Sequence, residues 1–182
     1  MDSRPKGMTL IETTIGISIF IIATLIILSL FIFHTQLYKV QEAESTIKIH
    51  SALFTKHFQE TGKTAKTIYA TQMIGGISRT SSSSTIIFQL PALDISNNVI
   101  LSVYDYIAFY RDGSNLYMET EADVAGQRRD IKRKISDKVS ELFFRYNTSI
   151  PSSATSANAY LYLVSDTSNN TINTTIRLRN KE

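Results

Sequence analysis

Apolar side chains fill the chain from Thr13 to Phe33, and no formal charge occurs between Glu12 and Lys39. The uncharged stretch Thr13 to Tyr38 is 26 residues long (38 − 13 + 1). At about 1.5 Å per residue, a helix of that length covers roughly 39 Å, more than the ~30 Å hydrocarbon core of a bilayer. The pattern predicts a transmembrane helix over residues 8–38. Beyond it the apolar spacing changes rather than stops. Leu37, Val40, Glu44, Ile47, Ser51, Phe54 and Phe58 recur at intervals of three and four, while Gln41, Glu42, Lys48, Lys56 and Gln59 fall elsewhere around the helix. That spacing predicts an amphipathic continuation over 39–61 with one face to bury. No Gly or Pro lies between Gly16 and Gly62. A single helix of about 50 residues follows, with Gly62 placed to cap its C-terminus. A sustained coiled coil is the rival for the second half, but Glu44 and Ser51 put polar residues in its seam.

After Gly62 the period shortens towards two. Gly75-Gly76 and Ser81 to Ser84 mark turns or a loop. Thr85 to Leu90 reads as a strand ended by Pro91. Tyr104 to Tyr110 and Leu116 to Thr120 read as two strands of a hairpin, with Asp112-Gly113 in its turn. Residues 121–130 read as loop. Ile131 to Lys138 alternates in a way that leaves its buried face open. Leu142 to Tyr146 is a further strand, and Ser149 to Asn158 reads as a loop around Pro151. Tyr160 to Val164 and Thr174 to Leu178 close the chain as a hairpin with a wide polar turn. One long helix followed by four to seven strands is an α+β pattern, in which an antiparallel sheet covers the apolar face of residues 37–58. Residues 62–182 then form a β-rich head.

Charge adds orientation. Arg4 and Lys6 precede the apolar run, while Lys39 follows it with Glu42 and Glu44 close behind. Positive-inside bias places the N-terminus in the cytoplasm and the head outside. An ordinary secretory signal is the competing reading. Its apolar region is shorter, and Phe31-Ile32-Phe33-His34 offers no small-residue cleavage site. Glu12 stands at the mouth of the apolar run. Thr9-Leu10-Ile11-Glu12 fits a capping box, in which both residues satisfy free N–H groups at a helix start. Cost suggests more, because a carboxylate carried into a membrane needs a partner, and no cationic side chain follows until Lys39. Cleavage after Gly7 would create an α-amine on Met8 at the right depth.

Residues Lys6-Gly7-Met8-Thr9-Leu10-Ile11-Glu12 with the apolar helix behind them closely resemble the prepilin processing site of type IV pilins and pseudopilins. The resemblance implies a leader over 1–7, cleavage after Gly7 by a prepilin peptidase, methylation of the Met8 amine, and a subunit contact through Glu12. It also implies a pilin-like fold and a set of partners: the peptidase/methyltransferase, other pilins or pseudopilins in a filament, an inner-membrane assembly platform, and membrane lipid. The hairpin Tyr104 to Thr120 and the closing Ile176 to Asn180 resemble minor pilins and J-type pseudopilins. Met8 replaces the commoner phenylalanine. Ser29 stands where many major pilins kink at proline, and the chain has no Cys for the disulfide that staples many major pilins.

Composition narrows the remaining chemistry. Net charge is +3, or +2 (17 − 15) without residues 1–7, too little to argue for nucleic acid by itself. Arg128 to Lys134 is the densest basic run. It is a candidate for DNA phosphates, with a charged strand edge that resists pairing as the alternative. His50 and His57 lie on one helix face without a third ligand nearby, so no metal site is expected. Asp112 to Asn115 lacks the distal acid of a calcium loop. Asp94, Asp105 and Asp123 form no readable cluster. Asn147, Asn169 and Asn173 begin formal glycosylation sequons. There is no Cys nucleophile, no Gly-x-Ser-x-Gly and no phosphate loop, so neither an enzyme nor a cofactor is expected. Two rivals remain: a single-pass, membrane-anchored binding or receptor domain, and a membrane-tethered enzyme, which requires a clustered polar pocket that the sequence does not show.

Overall fold

The computed structural model describes residues 9–165 and 167–178. One helix, α1 (Leu10–Thr64), of 55 residues is followed by ten strands. The fold is α+β, as the sequence predicts. By packing, the chain divides after Glu42.

The first unit is helix alone among the described residues. Every residue from Thr9 to Lys39 is exposed. A helix that is apolar on all sides and buries none of them calls for an apolar surrounding. This one is long and apolar enough to cross a membrane.

The second unit, Ala43–Glu182, holds the core. Its strands are β1 (Thr67–Ile68), β2 (Thr71–Ile74), β3 (Ile77–Thr80), β4 (Thr85–Leu93), β5 (Val99–Asp112), β6 (Asn115–Glu121), β7 (Ile131–Ser136), β8 (Val139–Tyr146), β9 (Ser156–Ser165) and β10 (Ser168–Arg177). They form an antiparallel sheet in the order β1-β4-β5-β6-β7, a second in the order β10-β9-β8, and the hairpin β2-β3. Ile47, Phe54 and Phe58 bring the α1 stripe to both larger sheets. Phe58 is enclosed on two sides. Phe88 of β4 and Phe109 of β5 meet it edge-on at 5.7 and 5.6 Å, and Phe144 of β8 stacks at 5.9 Å. A single flat sheet cannot surround a ring this way, which is why one expected sheet becomes two. Their seam is stitched by Phe144 N–H to Ser83 O (2.7 Å) and by the Tyr146 hydroxyl to Ser82 O (2.8 Å).

Several sequence expectations are corrected. Gly62 does not cap α1, which runs on to Thr64. It is buried under Ile176, and a Cβ there would stand 2.7 Å from Ile176 Cδ1, so close packing explains the glycine. Pro91 does not end β4 but coincides with a register shift between Pro91 and Leu93, where a ladder tolerates it. The wide turn before Thr174 is instead strand. Ser165 pairs with Ser168, and β10 continues unbroken from there, its β-branched threonines suiting a half-exposed surface.

Gly75-Gly76, expected as a turn or loop, is the turn of a hairpin over Thr71–Thr80, whose two strands the sequence reading did not include. Gly75 and Gly76 both hold positive φ, 57° and 76°, as a type I′ turn requires. This hairpin lies on the back of the five-stranded sheet, where Ile74 joins Ile87, Ala108 and Tyr110 in a second small core. Replacing Gly75 with alanine meets both the positive φ and a clash of the added carbon with the Glu119 carboxylate. It is expected to cost about 1–3 kcal/mol, read as a lowered urea midpoint.

Candidate functional site

The candidate site is the start of α1. Glu12 N–H donates to Thr9 Oγ1 (3.3 Å), and Glu12 Oε2 accepts from Thr9 N–H (2.9 Å). The capping box therefore forms. The Thr9 hydroxyl also reaches Oε2, at 3.2 Å. Both bonds to the carboxylate fall on one oxygen, so Oε1 has no partner among the described residues. Gly7 and Met8 lie outside the described residues.

Along the apolar run, every serine and threonine hydroxyl from Thr13 to Thr35 is satisfied by its own helix. Thr13, Thr14, Ser18, Thr24, Ser29 and Thr35 each donate to a carbonyl three or four residues back, at 2.8–3.1 Å. Back-bonding of this kind leaves no hydroxyl proton to be stranded in lipid. The Glu12 Oε1 oxygen, which none of the described residues bonds, is thus the outlying polar atom at the apolar end of the helix.

The head carries two polar clusters that the sequence did not reveal. Asp105 is fully buried in β5 and accepts from Arg128 Nη1 at 2.5 Å and from Asp123 N–H at 2.9 Å. Arg128 also donates to Pro91 O at 2.7 Å. Together these bonds pin loop 122–130 to the sheet. Asp123 meets Asp105 through its backbone N–H, while its own carboxylate accepts from Ala125 N–H; the available clue was one acid between Tyr104 and Tyr106 in a strand of apolar and aromatic residues. On the back of the sheet, Arg79 lies 3.4 Å from the Tyr110 ring centroid and pairs with Glu119 at 3.4 Å. The Tyr110 hydroxyl donates to Glu119 at 2.6 Å. Burial, then that bond to an acid, raises the Tyr110 pKa well above the usual tyrosine range.

The basic run is divided among different tasks. Arg128 serves Asp105, Lys132 lies 4.7 Å over the Tyr117 ring, and Arg133 is 3.3 Å from His57 Nε2. His50 Nδ1 bonds Ser136 Oγ at 3.0 Å. His50 and His57 are thus engaged separately with β7. Burial first, and Arg133 second, lower the His57 pKa below the ordinary histidine value. Among the described residues no group of three His, Cys, Asp or Glu is placed to hold a metal ion. Asp112 and Asn115 pair across a two-residue turn in which Gly113 has φ 58°, a hairpin position that favours glycine. Asn147 uses its side chain on Thr155 and Ser156, whereas Asn169 and Asn173 are exposed on β10. No protein-family model matches this chain, and no curated protein matches it.

Proposed function

We propose that this chain is a minor pilin or pseudopilin subunit of a type IV pilus or a type II secretion-like filament. In this reading the precursor sits in the inner membrane with its N-terminus in the cytoplasm and its head outside. A prepilin peptidase removes residues 1–7 and the Met8 amine is methylated. The assembly platform then draws the subunit into a filament, at the cell surface or in the periplasm, whose core is a bundle of such helices. Moving the exposed apolar segment from lipid to that bundle keeps it out of water, so extraction costs little.

The observation that carries the reading is Glu12. Its Oε2 completes the helix cap, and its Oε1 is bonded by none of the described residues, at the start of a helix with no other charge up to Lys39. An ammonium from the processed end of an adjacent subunit supplies the missing partner and fixes axial register. The peptidase, the other pilins and the platform are the partners this requires. DNA is not required, since Arg128, Lys132 and Arg133 already have partners in the fold.

Mechanical shearing of intact cells, or isolation of periplasmic filaments, tests this reading. The chain is expected in the filament fraction together with other subunits. Its confinement to the membrane fraction under conditions where filaments form would favour the anchored-receptor reading instead.

A further inference from the structure

The two larger sheets end in edges of different character. Strand β7 closes the five-stranded sheet with six residues, among them Lys132, Arg133 and Lys134. Short, charged edges resist pairing with other chains. Strand β10 closes the three-stranded sheet with none of that protection. It is ten residues long, pairs with β9 in unbroken register, contains no proline, and carries no charge from Ser168 to Ile176. Among the described residues its only strand partner is β9.

Helix α1 runs alongside β10 in the same direction. Asn170 Nδ2 donates to Ser51 Oγ at 3.2 Å, Gln59 Nε2 to Thr174 Oγ1 at 3.2 Å, and Gly62 packs under Ile176. Between the helix and the open edge lies a groove lined by Lys48, Lys56, Lys63, Thr55 and Ile172, with Glu60 as its one acid. Lys48 bridges Glu44 at 3.3 Å, while Lys56 and Lys63 form no ion pair among the described residues.

We propose that this groove receives an extended acidic peptide from a partner protein, which pairs with β10 as a fourth strand of its sheet. Main-chain hydrogen bonds to the open edge would hold the peptide, and side chains facing α1 would meet the lysines. The spacing fits. Successive groove lysines are about 11–12 Å apart along the helix, close to two same-face repeats of a strand, about 13 Å. Charge also argues against a second copy as the occupant. Joining two β10 edges about a two-fold axis would bring both lysine rows to one side of the combined sheet, where like charges repel. The inference rests on the second unit alone, on α1 from Lys48 onward and on β10, and stands apart from the filament reading.

The test uses the full chain in detergent micelles and a labelled synthetic peptide of about ten residues alternating glutamate and valine, a typical strand length. Fluorescence anisotropy is expected to show saturable binding, and hydrogen exchange to show new protection in β10. The double substitution Lys56→Gln, Lys63→Gln removes both charges at exposed positions without setting new acids beside Glu60, so the thermal midpoint should change little while affinity falls at least about tenfold, or ~1.4 kcal/mol. Three results would each overturn the proposal: no binding, equal binding of a lysine–valine peptide, or protection elsewhere than β10. A dimer of the free chain with β10 protected would also overturn it, by assigning the edge to a second copy.

Discussion

Glu12→Gln and Glu12→Ala are both expected to leave the head folded and to remove the chain from filaments. Glutamine can complete a capping box as glutamate does, so Glu12→Gln keeps the bonds with Thr9 and removes only the charge. Alanine removes the charge and the side-chain bonds to Thr9 but keeps the bond from its own N–H to Thr9 Oγ1, so only the reciprocal half of the box is lost. Neither change touches the core, which lies in the second unit. An ammonium left without its carboxylate in an apolar bundle costs about 2.5–3.5 kcal/mol on insertion scales, which corresponds to roughly a hundredfold loss of incorporation. Immunoblots of sheared filaments measure the loss, and urea unfolding of the detergent-solubilised chain checks the head. Normal incorporation of Glu12→Gln would reduce Glu12 to a helix cap and remove its part in assembly.

Phe58→Ala is the substitution with the largest expected effect on stability. The ring is fully buried and touches four others: Phe54 at 5.4 Å, Phe109 at 5.6 Å, Phe88 at 5.7 Å and Phe144 at 5.9 Å. These rings come from α1 and from strands of both larger sheets, so no single element can move in to fill the space. A loss of about 3–5 kcal/mol follows. That is a large share of the 5–15 kcal/mol that usually separates folded from unfolded domains. An unfolding free energy from urea titration within about 1 kcal/mol of the parent would show that the two sheets do not share this ring as their joint core.

The same ring marks how far the sequence could be read. Ile47, Phe54 and Phe58 were legible because a helix repeats every 3.6 residues and nothing between Gly16 and Gly62 interrupts it. The hairpin β5–β6 was legible through Asp112-Gly113, a local signal. Non-local features were not. The Asp105–Arg128 pair spans 23 residues, and neither member announces its partner. Gly62 resembles a cap in one dimension, and only the approach of Ile176 explains it in three. Strand β10 was partly missed because its outward positions are Asn and Thr, residues that turns also favour. Its pairing is set by β9 rather than by its own pattern. At the start of α1, Thr9 and Glu12 formed a readable box because both bonds close within three residues. That none of the described residues bonds Oε1 could be seen only once the direction of those bonds was known.

The filament account turns on whether the working molecule begins at Met8. Intact-protein and N-terminal peptide mass spectrometry, on the chain recovered from its own membranes and filaments, measures this directly. The account predicts a chain starting at Met8 with one methyl group on its α-amine. A chain that keeps residues 1–7 in its assembled, functional form would contradict it.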